Sequence, residues 1–320
     1  MAQETKYNKE ELQDIVATQT MSWVSLHTHT TYSYQDGFKM PAEHVARVAS
    51  LGMKAVAFTE HGNVSSHVKL EQAATRYGIK PIFGLEAYTA PPKSMRKGHM
   101  TILAMDQMGY RNLMRIVTRS WTEGFYKWPT VHGDILRDHS AGLIVLSGCA
   151  DSHLNNVLLG GKGIEHGDKK AAEKLLRTYV RMFGDRFYLE TQRFPGLERT
   201  CEINQHYADF SSRFDIPLAA TADVHYPLPE HSDMQRILHS AGRGSHVDEA
   251  DWEYTIKLTY PLSDAEIVQN LVDTGLSQSE AEGAVANTAT IADRCNVVLP
   301  KMDRLRYPIQ KEDLEPWGTP

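Results

Sequence analysis

Cysteine is scarce in this chain: Cys149, Cys201 and Cys295 are the only three in 320 residues, far apart and odd in number. No disulfide framework can be drawn from them, which favours a reducing cytoplasm. Long apolar runs are missing as well. No stretch approaches the roughly 20 residues that span a bilayer, and Met1-Ala2-Gln3-Glu4 lacks the basic-then-apolar profile of a secretion signal, so no membrane partner is expected. Positive charge is not in excess either, since 34 Lys and Arg against 40 Asp and Glu leave a net charge of −6. A protein that binds nucleic acid over its whole surface is usually basic. Any phosphate binding here is therefore local, through bound cations or a small basic face. Internal repeats and low-complexity segments are absent.

Histidine, by contrast, is plentiful at fifteen residues, and the 41% hydrophobic and 23% charged fractions are those of a globular chain long enough for a substantial core. The organising stretch is Leu26-His27-Thr28-His29-Thr30-Thr31-Tyr32-Ser33, followed by Asp36-Gly37. Side chains two apart on a strand point the same way. His27 and His29 thus leave the strand Trp23–Leu26 on one side, where they can hold one cation together.

From Trp23 onward, short apolar strands alternate with helices. Strands are expected at 55–59, 80–88, 100–105, 141–146, 187–190 and 216–220. Helices are expected at 42–51 with Pro41 at its first position, at 65–77, 110–121, 168–182 and 198–214. This alternation predicts a parallel sheet covered by helices. Chemically competent residues stand at the ends of many different strands, which fits a closed barrel better than an open sheet with one switch point. The expected fold is an α/β, distorted (β/α)7 TIM-like barrel over residues 22–227. A polar arm (1–21) precedes it; a helical appendage (228–300) and a loose tail (301–320) follow.

Nine residues at the strand ends carry metal-ligating groups: His27, His29, Asp36, His61, Glu86, His99, Cys149, Asp223 and His225. Each alone has an ordinary reading as a turn residue, a paired surface carboxylate or a small buried thiol. Together they would be costly to bury in one cleft without cations. Nine ligands exceed what one ion takes, so two or three divalent ions are expected. The His and Cys donors favour Zn²⁺, with Mn²⁺ or Fe²⁺ as alternatives, over an all-magnesium site. Adjacent divalent ions are suited to phosphate-ester hydrolysis. Arg111, Arg115 and Arg119 fall on one helical face beside Phe125, Tyr126 and Trp128, and either form a solvated basic surface or track a phosphate backbone.

With these residues in place the sequence resembles the PHP (polymerase and histidinol phosphatase) family, in the form found at the N-terminus of bacterial DNA polymerase III alpha subunits. The family's first motif stands as His27, His29 and Ser33 with Asp36-Gly37 after it, the second as Thr59-Glu60-His61-Gly62-Asn63. Lys80–Glu86, Gly109–Leu113, Glu123–Tyr126, Gly142–Cys149 and Asp223-Val224-His225-Tyr226 continue the likeness in order. Two positions depart from it: Glu60 replaces the usual Asp before the second-motif His, and Ala222 the usual Asn before Asp223. The resemblance implies a seven-stranded barrel with a trinuclear cluster and an intact ligand set. It also implies metal-dependent phosphoesterase activity, most readily a 3′→5′ exonuclease on single-stranded or 3′-terminal DNA. In that reading His61, His225 and Asp36 are catalytic, and Ser33, Arg111, Arg115 and Arg119 contact substrate. The alternatives are a phosphomonoesterase on a small phosphorylated metabolite and a non-catalytic, metal-stabilised module docking on a replication polymerase. No palm, thumb or fingers follow before Pro320, so the expectation is a stand-alone protein, half of a split polymerase or a fragment.

Overall fold

The computed structural model of the protein describes residues 20–90, 97–161, 164–246 and 256–300. Nearly all of the expected arm and all of the expected tail lie outside the described residues. In chain order the elements are α1 (Pro41–Ser50), β1 (Ala55–Phe58), α2 (His67–Tyr77), β2 (Lys80–Thr89), β3 (Gly98–Ala104), α3 (Gln107–Thr122), β4 (Thr130–Val131), α4 (Gly133–Asp138), β5 (Leu143–Leu146) and α5 (His153–Leu159). There follow α6 (Lys169–Phe183), β6 (Phe187–Thr191), α7 (Arg199–Phe214), β7 (Leu218–Ala220), α8 (Ser232–Arg243), α9 (Asp264–Val272) and α10 (Gln278–Arg294).

Local chemistry sets the helix boundaries. Pro41 opens α1, where the Glu43 carboxylate reaches back to the Met40 amide at 3.1 Å. Asp106 caps α3 by accepting from the Gly109 amide at 2.8 Å. Gly78, at φ 68°, stops α2 in the left-handed conformation that favours glycine.

The seven strands run β1-β2-β3-β5-β6-β7, with β4 beside β2. Residues 25–29 close the circle. The Ala57 amide donates to Ser25 O at 2.8 Å, and the Thr59 amide to Thr28 O at 2.9 Å. On the other side His29 N donates to Val224 O at 2.7 Å, and Val224 N to His27 O at 3.1 Å. The sheet is thus a barrel, as the alternation of elements predicts, but two details differ from that expectation. The stretch at Trp23–Leu26 is not a regular strand; it makes isolated bridges at Ser25 and Thr28 and bends at His27. In addition β3 is antiparallel to both β2 and β5, so the sheet is not purely parallel. A hairpin between β2 and β3 replaces the helical crossover that parallel neighbours would need.

Alternation along the strands divides the buried side chains into two sets. One set faces into the barrel: Val24, Leu26, Ala55, Ala57, Ile82, Leu103, Ile144, Leu146, Tyr188 and Ala219. Ile291, Ala292 and Cys295, at the end of α10, join this set and plug one mouth of the barrel. The other set, including Val56, Phe58, Phe83, Leu85, Val145 and Leu189, packs outward under the helices, and Ile267, Leu271, Ala281 and Val285 of α9 and α10 belong to it. Both C-terminal helices described here are therefore packed on the barrel. Among the described residues no helix is long and apolar enough to cross a membrane.

Candidate metal centre

The same alternation that fills the barrel with apolar groups delivers the polar ones to its open mouth. Ala55 and Ala57 are followed two by two by Thr59 and His61; Ile82 by Gly84 and Glu86; Tyr188 by Glu190; Ala219 by Thr221 and Asp223. On β3 the order reverses, because the strand runs the other way. His99 therefore precedes Thr101 and Leu103 and still reaches the same end. After β5, Gly148 at φ +89° turns the chain so closely that a Cβ there would lie 2.3 Å from the His99 carbonyl oxygen. That turn sets Cys149 beside His99. Asp223 adopts φ 46°, a left-handed conformation that a short polar side chain tolerates best.

All nine sequence-predicted ligand residues converge here. His27 Nε2 lies 3.1 Å from His29 Nε2, 3.2 Å from Glu86 Oε1 and 3.2 Å from Asp223 Oδ1. His29 Nε2 is 3.4 Å from the same Asp223 oxygen. His61 contacts Glu86 Oε2 through Nδ1 and Asp36 Oδ2 through Nε2, the latter at 2.9 Å. His225 Nε2 is 3.5 Å from Asp36 Oδ2. His99 Nδ1 lies 3.1 Å from Glu86 Oε1 and 3.3 Å from the Cys149 sulfur. Three groups, the first two sharing His29, each have candidate ligand atoms within 4.8 Å of one another: His27, His29 and Asp223; His29, His61 and His225; and Glu86, His99 and Cys149.

Hydrogen bonding behind the imidazoles assigns their tautomers. His27 Nδ1–H donates to Glu190 at 2.6 Å. His29 Nδ1–H donates to the Ser33 hydroxyl at 2.8 Å, and that hydroxyl in turn donates to Glu60 Oε2 at 2.6 Å. His225 Nδ1–H donates to the Asp223 carbonyl at 2.8 Å. Each of these rings therefore turns its Nε2 toward the centre, where it offers a lone pair whenever the ring is neutral. Two such lone pairs face each other on His27 and His29, an arrangement that repels unless a cation or proton lies between. Both Glu86 oxygens and Asp223 Oδ1 are buried and meet imidazole nitrogens without well-aligned hydrogen bonds, and His99 Nε2 is buried with no hydrogen bond. Buried polar atoms are almost always satisfied. A donor set of imidazoles, carboxylates and one thiol, crowded together with its donor atoms turned inward, fits divalent cations.

The electrostatics favour positive charge at this centre: against the cost of burial, Asp223, Glu190 and Glu86 raise His27, and Tyr88, Glu86 and Asp36 raise His61. Burial, then the neighbouring His61 and His225, hold the His29 imidazole down at about 3, so it is neutral and free to ligate. Burial and the carboxylates of Glu86 and Asp223 push the Cys149 thiol up, and only a cation would favour its thiolate. Against the cost of burial, His225 and His61 hold the Asp36 carboxyl well below the usual range; Asp36 and Asp223 in turn raise His225 to about 9.

Glu190 was not among the predicted site residues. It is 2% exposed and accepts from His27, from the Thr101 and Thr221 hydroxyls, from the Gln192 amide and from the Gly148 backbone amide. Its position two residues after Tyr188, on the inward face, is the signal that could have found it. Glu60 is fully buried as well, accepting from the Thr30 hydroxyl at 2.6 Å and the Thr30 amide at 3.0 Å.

The expected substrate contacts lie elsewhere. Ser33 is fully buried between His29 and Glu60, so it orients an imidazole and does not face a substrate. Arg111, Arg115 and Arg119 ride the outer face of α3, because Leu113 and Ile116 take the inner one. Arg119 is held by Glu123 at 2.9 Å and Asp138 at 3.0 Å, and none of the three lines the cavity. That cavity, of about 460 Å³ and lined at its floor by the candidate ligands, is instead walled by Lys97, Trp128, Asp151, Gln192, His239 and Arg243, among others. Lys97 Nζ sits 3.8 Å from the Trp128 ring centroid and 4.2 Å from that of Tyr88.

The PHP domain family matches residues 25–194. The DNA polymerase III subunit alpha of Treponema pallidum is 34% identical over 292 residues, covering 88% of this chain and 24% of the relative. The subunit of the same name from Thermus aquaticus is 31% identical over 304 residues, covering 91% and 24% respectively. The chain thus spans about a quarter of the length of the curated relatives it matches. A solved amidohydrolase from Chromobacterium violaceum is 14% identical with a TM-score of 0.39, covering 64% of this chain and 88% of that one.

Proposed function

This chain belongs to the PHP domain family, and from that premise we propose that it is a metal-dependent phosphoesterase acting as a 3′→5′ exonuclease on DNA. The observation that carries the reading is the inward-turned donor set: the Nε2 atoms of His27 and His29 facing each other, and the buried oxygens of Glu86 and Asp223 crowded against imidazoles without well-aligned hydrogen bonds. Support for a DNA substrate comes from the polymerase subunits that the chain resembles along most of its length. In this reading residues 22–227 are the metal-holding barrel and 228–300 the helices that complete it.

Two or three divalent ions held by the nine residues would supply Lewis-acid activation and neutralise phosphoryl charge. The chain's own groups do the rest. His61 and His225 flank Asp36, at 2.9 and 3.5 Å from its Oδ2, so a proton leaving or reaching the reacting oxygens has two imidazoles to pass to. Asp36 fixes both rings and stays ionised. Glu190 and Ser33 hold His27 and His29 in the tautomers that ligate.

The test uses purified chain supplied with Mn²⁺ or Zn²⁺, a 5′-end-labelled single-stranded DNA and p-nitrophenyl phosphate. Stepwise shortening from the 3′ end, abolished by EDTA and by His29→Ala, is the expected result. Phosphate release from the small ester alone would replace the exonuclease with a phosphomonoesterase. Inertness toward both substrates, with metal retained, would leave a metal-stabilised docking module.

A further inference from the structure

Two large rings reach the surface where α3 ends. Trp121 stands in its last turn and Phe125 in the loop that follows; they are 51% and 53% exposed. The rings lie against each other, centroids 5.5 Å apart and planes 16° from parallel. Both are held in place. The Trp121 indole N–H donates to the Gly62 carbonyl at 3.0 Å. Phe125 bridges Pro129, and the Thr130 amide donates to the Gly124 carbonyl at 3.3 Å, which ties the loop at its ends. Gly124 allows that closure, because a Cβ there would collide with the Thr130 carbonyl oxygen. Gly62 directly follows the candidate ligand His61, so the pair is anchored one residue from the metal centre.

Aromatic groups also lead from the centre toward this pair. Tyr88 lies 5.9 Å from His61 with the rings nearly parallel, and Trp128 is 5.6 Å from Tyr88; both line the cavity. Lys97 already stands over those two rings. The exposed aromatic surface is therefore the one outside the rim, at Trp121 and Phe125. The exposed face of α3 that leads to it carries Arg111, Met114, Arg115, Thr118 and Thr122, with no carboxylate among them. These arginines do not wall the cavity, but they give the approach to the ring pair a positive sign. A ligand that is flat and aromatic at intervals and anionic between them matches such a surface. Resting on the exonuclease reading, we propose that Trp121 and Phe125 form a base-stacking platform outside the metal cavity. It holds a nucleotide of the single strand on the 5′ side of the one at the metal centre. Bases stack on aromatic side chains while guanidinium groups meet the phosphates between them.

The experiment measures binding to the full, Mn²⁺-loaded chain by fluorescence anisotropy, with KM replacing affinity where a probe is turned over. The probes are dithymidylate, decathymidylate, and a decamer that keeps only its two 3′-terminal bases and is abasic elsewhere. Loss of a stacked base predicts about 5- to 100-fold weaker binding of decathymidylate to Phe125→Ala and to Trp121→Ala, with dithymidylate held within about twofold. The wild type should bind the abasic decamer about as weakly as the variants bind decathymidylate, and Phe125→Tyr should restore most of the affinity. Trp121→Ala also removes the bond to Gly62, so Phe125→Ala, which leaves that bond in place, decides the matter. Undiminished decathymidylate binding by folded Phe125→Ala, or equal binding of the normal and abasic strands by the wild type, overturns the proposal and leaves the pair as a contact for a protein. The exonuclease reading fails separately, if decathymidylate is never shortened while its Phe125-dependent binding stands.

Discussion

Glu190→Gln tests whether the metal centre depends on a residue that would touch no cation. The carboxylate takes five donors: His27 Nδ1 at 2.6 Å, Thr221 Oγ1 at 2.7 Å and Gln192 Nε2 at 3.2 Å on one oxygen, Thr101 Oγ1 at 2.9 Å and the Gly148 amide at 3.1 Å on the other. An amide has one acceptor oxygen and one NH₂, so one side must now face donors with a donor. If the NH₂ takes the Gly148 side, a hydroxyl can rotate to accept but the backbone N–H cannot. A buried amide is then left unpaired at a cost of about 1–3 kcal/mol. If it takes the His27 side, the imidazole must move its proton to Nε2, and the lone pair that would hold a cation is gone. Support of this kind behind a ligating histidine is commonly worth about 10–100-fold in metal affinity. The expected result is a folded variant with Zn²⁺ or Mn²⁺ affinity about 10–100-fold weaker, measured by competition with a fluorescent chelator, and about 1–3 kcal/mol less stable with EDTA present. Unchanged metal affinity in a folded Glu190→Gln protein would refute the tautomer assignment and the reading built on it.

Two further perturbations act on other buried groups. Burial holds His44 and His67 at about 4, below their ordinary 6.5. Each is neutral in the fold, donating from Nε2 to the Phe38 and Gly84 carbonyls at 2.9 Å. The folded pKa being the lower one, stability is complete above 6.5 and is lost as pH falls from 6.5 toward 4, by up to about 3 kcal/mol per residue. Urea midpoints between pH 7.5 and 4.5 should fall, less steeply for His67→Asn; parallel slopes would contradict this. Ser33→Ala removes the acceptor of His29 Nδ1 and the donor to Glu60 together. A loss of about 2 kcal/mol is expected by denaturant titration, with metal affinity lowered as well, whereas a neutral effect would mean that the hydroxyl does not hold the ring.

Most of the candidate ligand residues were legible because they stand beside the end of a short apolar strand and are of a type that such an end rarely tolerates unpaired. His27 and His29 were read as two apart on a strand, and they do converge, but through a bend at His27 that strand geometry did not foresee. His99 was found in front of its strand; only the antiparallel direction of β3 explains why a residue at the start of a strand meets others at the ends of theirs. Residues behind the ligands were harder to read. Glu190 looks like any strand-terminal acid until the inward face is known, and Ser33 looks like a substrate contact until its burial is. The arginines of α3 failed as a cavity wall because a spacing of four identifies a shared face and does not say which way that face turns. Lys97, which does line the cavity, stands in a polar stretch with no periodic signal to set it apart, while Arg243 shares a four-residue spacing with Gln235 and His239 that marks a face without saying what it meets.

The seam at which the barrel closes and the proposed metal centre are built from the same residues. Elsewhere the sheet is held by continuous ladders, as between β2 and β3, where six consecutive residues pair. At the seam, residues 25–29 make only single bridges, Ser25 to Val56 on one side and Thr28 to Val224 on the other. Trp23 Nε1 adds one bond to the Ala220 carbonyl at 2.9 Å. His27 and His29 belong to one edge of that seam, Asp223 and His225 to the other, and His27 Nε2 and His29 Nε2 lie 3.2 and 3.4 Å from the shared Asp223 oxygen. The first segment is also tied to the C-terminal helices, since the Ser22 and Trp23 amides donate to Asp264 at 2.9 and 3.1 Å and the Val24 amide to the Thr288 hydroxyl at 2.9 Å. A cation shared by His27, His29 and Asp223 would join the two edges directly, stabilising the closed barrel by its binding free energy, because the separated edges offer no preformed site. The first segment is held in the fold through its side chains as much as through its backbone, with Trp23 and Leu26 fully buried, and so a stretch with only isolated bridges closes the seven-stranded sheet.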